Sequence, residues 1–270
     1  MIIGGREFDV KNRCYIMGIM NVTPDSFSDG GRWASRDDAL RHAERMAAEG
    51  ADIIDVGGES SRPGSEAISE QAELDRVIPV VEALARGVDA LISIDTYKSS
   101  VAKVALEAGA CLINDIWGFR ADSEMAIVAS RAGAACCLMH NRHDMGYSDF
   151  MADMLEDLGK SVRVALAAGV AADKIIIDPG IGFAKTYAMN LAAIRNLDII
   201  AKLGYPVMLG ASRKSVIGAT LGLPVGDRSE GTLATTVLAV VKGCSFVRVH
   251  DVKETKRAIM MAEAIIKAEC

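Results

Sequence analysis

Apolar runs of four to six residues recur along the chain, each following a Gly that closes a helical stretch and each ending on a polar residue. The glycines are Gly50, Gly109, Gly133, Gly169, Gly204 and Gly243, and the runs finish at Asp55, Asn114, His140, Asp178, Ser212 and His250. A Gly just past a helix is the residue that takes a left-handed cap without a Cβ penalty. A short, continuously apolar run is the pattern of a strand buried on both faces of a parallel sheet. This reading predicts strands near 14–20, 52–57, 91–95, 111–115, 135–139, 174–178, 206–210 and 245–249, with helices in the gaps.

Eight alternating units over 270 residues match a single (β/α)₈ (TIM) barrel, a fold of roughly 250 residues, and leave little for a second domain. A doubly wound sheet more often has five or six strands. Residues 1–10 are expected to form a short hairpin plugging the lower end. Helical stripes support the scheme: Leu40, Ala43, Met46 and Ala47; then Leu74, Val77, Ile78 and Val81; and finally Ala258, Ile259, Ala262, Ile265 and Ile266. Ser35 with Asp38 is spaced like a capping box, and Pro79 marks a kink or boundary. Long connections rich in Gly, Ser, Asp and Pro run from Asn21 to Ala34 and from Gly57 to Ser69, the lengths at which loops carry binding functions.

Half the residues are hydrophobic and the net charge is −6, which argues against nucleic acid as a partner while allowing a local cationic pocket. No apolar run approaches the ~20 residues needed to span a bilayer, and the first residues lack a signal-peptide pattern. The six cysteines have neither CxxC nor zinc spacing, and read as reduced thiols of a cytoplasmic protein.

In a (β/α)₈ barrel the chemistry is held at the C-terminal ends of the strands. Those ends supply Asn21, Asp55, Ser61-Arg62, Asp95, Asn114-Asp115, His140, Asp178, Ser212-Arg213-Lys214, Arg248 and His250. A lone Asp there is usually a turn former or helix cap, but polar residues at every strand end are harder to explain that way. Asp95, Asn114 and Asp178 form an acceptor set suited to a heterocycle with several N–H donors. Arg62, Arg248, His250 and Lys214 form a cationic set, and the loops after the seventh and eighth strands are a recurring phosphate site in this fold. Other motifs are absent: Gly180-Ile181-Gly182-Phe183-Ala184-Lys185-Thr186 is not a P-loop. The first strand ends in Asn21-Val22-Thr23 without a His-x-His pair for a protein-bound metal.

The segments Met17–Gly31, Asp55–Gly64, Ser93-Ile94-Asp95-Thr96, Ile113-Asn114-Asp115, Asp178–Phe183, Ser212-Arg213-Lys214-Ser215 and Val247-Arg248-Val249-His250 together closely resemble the dihydropteroate synthase family, in order over nearly the whole chain. The resemblance implies a pterin-binding (β/α)₈ barrel over residues 1–270. Its reaction would join p-aminobenzoate to a dihydropterin hydroxymethyl pyrophosphate, giving 7,8-dihydropteroate and pyrophosphate. It also implies Mg²⁺ assistance, folate biosynthesis, sulfonamide sensitivity and a homodimer. By analogy Asp95, Asn114, Asp178 and Lys214 hold the pterin. Asn21, Arg62, Arg248 and His250 hold pyrophosphate, with Asn21 at the metal. Ser61, Pro63, Phe183 and Ser215 line the p-aminobenzoate site, and Asp95, Lys214, Arg248 and His250 are the catalytic set. Ser61 stands where the family more often has Thr, and Ser65 and Ala184 are also less usual.

Three other readings are weighed against this one. A pterin-binding methyltransferase barrel would share the acceptors but lack the cationic set. A metal-dependent hydrolase could use His140, His250 and Asp55. A non-catalytic pterin binder would bind the pyrophosphate substrate without turning it over.

Overall fold

The structure is a computed structural model that describes residues 1–22, 31–59 and 67–268, with the side chains of 31–36 outside that description. Strands β1 (Ile2–Ile3) and β2 (Arg6–Glu7) form an antiparallel hairpin. The barrel strands follow: β3 (Tyr15–Asn21), β4 (Ile53–Gly57), β5 (Leu91–Asp95), β6 (Leu112–Asp115), β7 (Ala135–Met139), β8 (Ile175–Asp178), β9 (Met208–Leu209) and β10 (Phe246–Val249). All pairings among them are parallel, in the order β8-β7-β6-β5-β4-β3-β10-β9. A bridge between Ile177 and Val207 closes β8 onto the segment before β9. The result is the expected (β/α)₈ barrel with its N-terminal hairpin.

All six glycines at helix ends have positive φ, from 61° at Gly133 to 120° at Gly109, as the capping argument requires. Seven of the eight strands begin and end within one residue of the predicted bounds. β9 is shorter, because Pro206 has no N–H to give the ladder and enters it only as an acceptor from Ile177.

Period-two alternation sorts the strand side chains into two cores. Tyr15, Met17, Ile53, Leu112, Ala135, Cys137, Ile176, Met208 and Phe246 point into the barrel, joined by Ile3 and Phe8 of the hairpin segment. Phe8 stacks edge-on to Tyr15 at 4.7 Å, so the hairpin plugs the lower end as expected. The alternate positions, among them Ile54, Val56, Ile92, Ile94, Ile113, Leu138, Ile177 and Val247, pack outward against the helices.

The helices are α1 (Gly31–Glu49), α2 (Glu70–Gly87), α3 (Ser99–Glu107), α4 (Met125–Ala132), α5 (Phe150–Ala167), α6 (Tyr187–Arg195), α7 (Leu197–Ala201), α8 (Ser215–Leu221), α9 (Ser229–Val241) and α10 (Val252–Ile266). Three expectations are corrected here. Helix α1 starts at Gly31, so Ser35 lies inside it and is not its cap. Pro79 lies within α2 and does not end it. In α10 the buried stripe is Val252, Thr255, Ile259 and Ala262, whereas Ile265 and Ile266 are 63% and 54% exposed, so the apolar spacing continues onto the surface. The five described cysteines are free thiols, and Cys270 lies outside the described residues. No helix among the described residues is long and apolar enough to cross a membrane.

Candidate active site

On six of the eight strands the inward column is apolar at the bottom of the barrel and polar at the top, whereas that of β7 stays apolar to Met139 and that of β9 runs from Met208 to Gly210. Continuing the alternation upward from the interior core leads to Asn21 on β3, Asp55 on β4, Asp95 on β5, Asn114 on β6, Asp178 on β8 and Arg248 on β10. Register places them side by side: Asn21 pairs with Gly57, Gly57 with Asp95, and Asp95 with Asn114.

Arg248 is the hub. Its Nε donates to Asp55 Oδ2 at 2.6 Å and its Nη2 to Asp95 Oδ2 at 2.7 Å, while Asn114 Nδ2 donates to the same Asp55 oxygen at 3.0 Å. Asp55 is fully buried, and its Oδ1 has no hydrogen-bond partner among the described residues, leaving an open acceptor next to the Asn114 amide. Burial pushes the Asp95 carboxyl well above the usual carboxylate range, and the Arg248 charge pulls it back.

The second half of the site gathers around Gly210, one residue beyond β9. A methyl placed on Gly210 would lie 3.4 Å from Asp178 Oδ2, 3.8 Å from Lys214 Nζ and 3.9 Å from Arg248 Cβ. Lys214 donates to the Ile181 carbonyl at 2.5 Å, and its Nζ sits 4.8 Å from the centre of the Phe183 ring, within cation–π range. Burial lowers the Lys214 ammonium to about 8 against the opposing pull of Asp178. Asp178 Oδ1 accepts from Gly180 N at 2.7 Å, leaving Oδ2 on the Gly210 side.

His250 adjoins this group. Its Nδ1 shares a hydrogen bond with Ser212 Oγ at 2.9 Å, and its backbone N–H donates to the same oxygen at 3.2 Å. Arg213 turns away into an ion pair with Asp251. Asn21 is exposed at the end of β3, and Ser215 is the exposed first residue of α8. Ser61, Arg62 and Pro63 lie outside the described residues. The acceptor set and the described cations therefore share one mouth of the barrel, linked through Arg248.

Three groups went unassigned in the sequence reading. Asp55, a strand end weighed above only for a hydrolase, belongs to this cluster by its inward parity. Asp115 was noted alongside Asn114, but it points outward, and its two oxygens accept from Trp117 N and Phe119 N to shape the loop after β6. Lys98 donates to Glu59 and Glu73, each at 2.6 Å, and to the Ile68 carbonyl at 2.9 Å, tying together both sides of the 60–66 connection.

The geometry also weighs on the alternatives. His140 is 1% exposed and takes its contact from Lys185 Nζ, while Asp55 is occupied by Arg248 and Asn114, so the donors a hydrolase would need are turned to other partners. The cationic residues that a methyltransferase barrel would lack are at the rim.

A family model described as pterin binding enzyme matches residues 17–250. The dihydropteroate synthase of Clostridium beijerinckii is 54% identical over 268 residues, covering 99% of this chain and 100% of that one. The chain belongs to the dihydropteroate synthase family. Among solved structures, the Clostridium difficile dihydropteroate synthase in the presence of pteroic acid superimposes with a TM-score of 0.94 at 48% identity, covering 97% of this chain and all of that one. The Xanthomonas albilineans dihydropteroate synthase with 4-aminobenzoic acid matches with a TM-score of 0.94 at 38% identity, covering 99% and 98% of the two chains. As a dihydropteroate synthase, the chain is a transferase that forms the C–N bond between p-aminobenzoate and the pterin methylene, with release of pyrophosphate.

Proposed function

We propose that the reaction proceeds by dissociative substitution at the exocyclic methylene of the pterin, with this rim supplying both the ring cradle and the leaving-group clamp. The observation that carries the reading is the convergence of Asp178, Lys214 and Arg248 on the space over Gly210. Asp178 and Asn114 present acceptor oxygens to the guanidine-like edge of the ring, and the Asp55–Asp95 pair supplies negative charge behind it. Asp95 stabilises the cation that forms as the C–O bond breaks. Arg248, His250 and Arg62 hold the departing diphosphate, and Lys214 contacts the ring and Phe183. Ser61, Pro63, Phe183 and Ser215 line the p-aminobenzoate site. Fixed charges aimed at a developing charge in a partly dry site are the most effective catalytic device such a rim offers. Exclusion of water lets the weakly basic aryl amine capture the cation, so no covalent enzyme intermediate is needed.

Mg²⁺ fits this donor set. It favours oxygen ligands, and it usually takes one or two protein groups plus phosphate oxygens and water. Asn21 offers a single exposed carboxamide at the end of β3, in register with Gly57 of β4. Asn21 would hold the ion together with the diphosphate, and a magnesium ion there would supply Lewis-acid neutralisation of the leaving-group charge.

We read residues 1–270 as one pterin-binding barrel working in the cytoplasm as a homodimer. The dimer is supported by an exposed apolar face: Val237 and Val241 on α9, Met261 and Ile265 on α10, each 38–63% exposed. Single exposed hydrophobics are ordinary, but adjacent ones on two packed helices are the pattern of an interface. Met261→Glu with Ile265→Glu is expected to give a monomer by light scattering, and an unchanged dimer would move the interface elsewhere.

The deciding experiment is pyrophosphate release with and without p-aminobenzoate and Mg²⁺. Release is expected only when both are present, with sulfonamides competing against p-aminobenzoate. Binding of the pterin pyrophosphate without release on adding p-aminobenzoate would overturn the reading in favour of a non-catalytic binder.

A further inference from the structure

Lys185 is a buried lysine to which the reaction assigns no role. It is 8% exposed, on the loop between β8 and α6, and its Nζ donates three hydrogen bonds: to His140 Nδ1 at 2.8 Å, the Gly180 carbonyl at 2.9 Å and the Phe183 carbonyl at 3.0 Å. An ammonium has three donors and no acceptor, so this set uses all of them. It also requires His140 to be neutral, with its proton on Nε2 facing Asp157 Oδ2 3.5 Å away. Burial favours that form by lowering the His140 pKa. Asp157 is in turn held by Arg142 at 2.6 Å and Lys160 at 3.1 Å on the outer side.

The two carbonyls that Lys185 grips bracket the segment that meets Lys214. Between them lie the Ile181 carbonyl, which Lys214 donates to, and just at the second stands the Phe183 ring beside the same ammonium. The segment is kinked, with left-handed φ of 68° at Gly180, 87° at Gly182 and 45° at Ala184, so it has no helix or ladder to hold its shape. Its other fastenings include a turn bond from Phe183 N to the Gly180 carbonyl at 3.1 Å, Gly180 N to Asp178 Oδ1 at 2.7 Å, Gly182 N to Asn190 Oδ1 at 2.6 Å and Tyr147 Oη to the Ala184 carbonyl at 2.9 Å.

We propose that Lys185 is a positioning residue for the aryl-amine half of the reaction, pinning both ends of the 180–183 segment so that the Phe183 ring and Lys214 stand in fixed relation. It touches neither substrate nor the reacting atoms and acts through the backbone. The inference rests on the reading of Phe183 as lining the p-aminobenzoate site. Without the ammonium, the Phe183 carbonyl loses its donor and the Gly180 carbonyl keeps only the turn bond from Phe183 N, so the segment relaxes toward water.

The test uses the full chain and four variants, Lys185→Met, Lys185→Gln, Phe183→Ala and the double substitution of Lys185→Met with Phe183→Ala, assayed by pyrophosphate release with each substrate varied in turn. Loss of a charged hydrogen-bond donor is worth about tenfold or more. Lys185→Met is expected to raise KM for p-aminobenzoate by that factor, with kcat/KM for the pterin pyrophosphate changing far less. The double variant is expected to be no worse for p-aminobenzoate than Phe183→Ala alone. Lys185→Gln, whose amide retains two donors for the two carbonyls, is expected to recover part of the loss, and it replaces Lys185→Met in the cycle if that variant does not fold. Additive effects in the double variant, or equal loss toward both substrates, would overturn the inference. If Phe183→Ala alone leaves KM for p-aminobenzoate unchanged, the site reading fails first, and independently of Lys185.

Discussion

Gly210→Ala separates the site's location from its stability. The backbone at Gly210 lies outside the left-handed region, so an Ala is not strained there, and its Cβ would meet the protein only at ordinary van der Waals distances of 3.4–3.9 Å. Replacing Gly by Ala at a compatible position removes freedom from the unfolded chain and stabilises by about 0.4–1 kcal/mol. The unfolding temperature is therefore expected to hold or rise. Ligand binding should move the other way. A ring N–H bonding Asp178 Oδ2 at about 2.9 Å must keep roughly 65° from the new methyl to avoid a contact under ~3.4 Å. The methyl therefore removes most of the approach on that side of the carboxylate. Forcing one extra carbon into a filled space costs about 1–3 kcal/mol, which is about 5- to 150-fold in affinity. The assays are calorimetric binding of the pterin pyrophosphate, steady-state pyrophosphate release and thermal unfolding. Wild-type affinity and turnover in a well-folded Gly210→Ala protein would show that no substrate occupies the space between Asp178, Lys214 and Arg248.

Other substitutions probe the remaining parts. Asp178→Asn and Arg248→Ala each remove a charged hydrogen-bonding partner and are expected to lower kcat/KM by about 10- to 150-fold. Arg248→Ala should also destabilise by about 3–5 kcal/mol, because it leaves Asp55 and Asp95 buried without their cation, and denaturant unfolding reads this directly. Because burial raises the Asp95 pKa, kcat/KM for the pterin substrate is expected to fall on acidification at a higher pH than an ordinary carboxylate would give, and Asp95→Asn should abolish that limb. The same shift makes native Asp95 hold its proton where the unfolded chain has released it. Its contribution to stability therefore declines as pH rises from the ordinary carboxylate range to the raised value, a slope that Asp95→Asn removes. Gly180→Ala would drive a Cβ into the His140 carbonyl oxygen at a φ of 68°, so thermal unfolding should show a loss beyond the about 1–2 kcal/mol of left-handed strain alone.

Much of this barrel is legible without coordinates because two local rules agree. Gly at a helix end needs a left-handed φ, and the strand after it must be apolar on both faces. Together they locate the strands and the polar rim. Alternation then goes further than the sequence reading took it: it separates Asp55, which points inward to Arg248, from Asp115, which points outward to the loop after β6. What could not be read lies where alternation stops. His140 and Lys185 both fall past strand ends, where the direction of a side chain depends on loop dihedrals such as those of Gly180 and Ala184. Helix α10 misleads for a different reason: an apolar stripe shows amphipathicity but does not say whether anything covers its last turn. Ile265 looks like core by spacing and is surface in the isolated chain.

The rim is assembled before substrate arrives, and its charges are already answered by one another. Asp55 and Asp95 hold Arg248 at 2.6 and 2.7 Å, and Lys214 is set between the Ile181 carbonyl and the Phe183 ring. Breaking a buried pair of this kind is costly, which keeps the groups from relaxing toward solvent. The arrangement accordingly needs little reorganisation when charge separates on the substrate. In the proposed mechanism Arg248 would meet the diphosphate while still braced by two carboxylates, and those carboxylates would lie close to the developing pterin cation. A lone arginine would favour the leaving group and oppose the cation; bracketed by Asp55 and Asp95, it can serve the first without penalising the second. That compensation explains why acidic and basic residues are interleaved around one mouth, where a simple anion site would need only the basic ones.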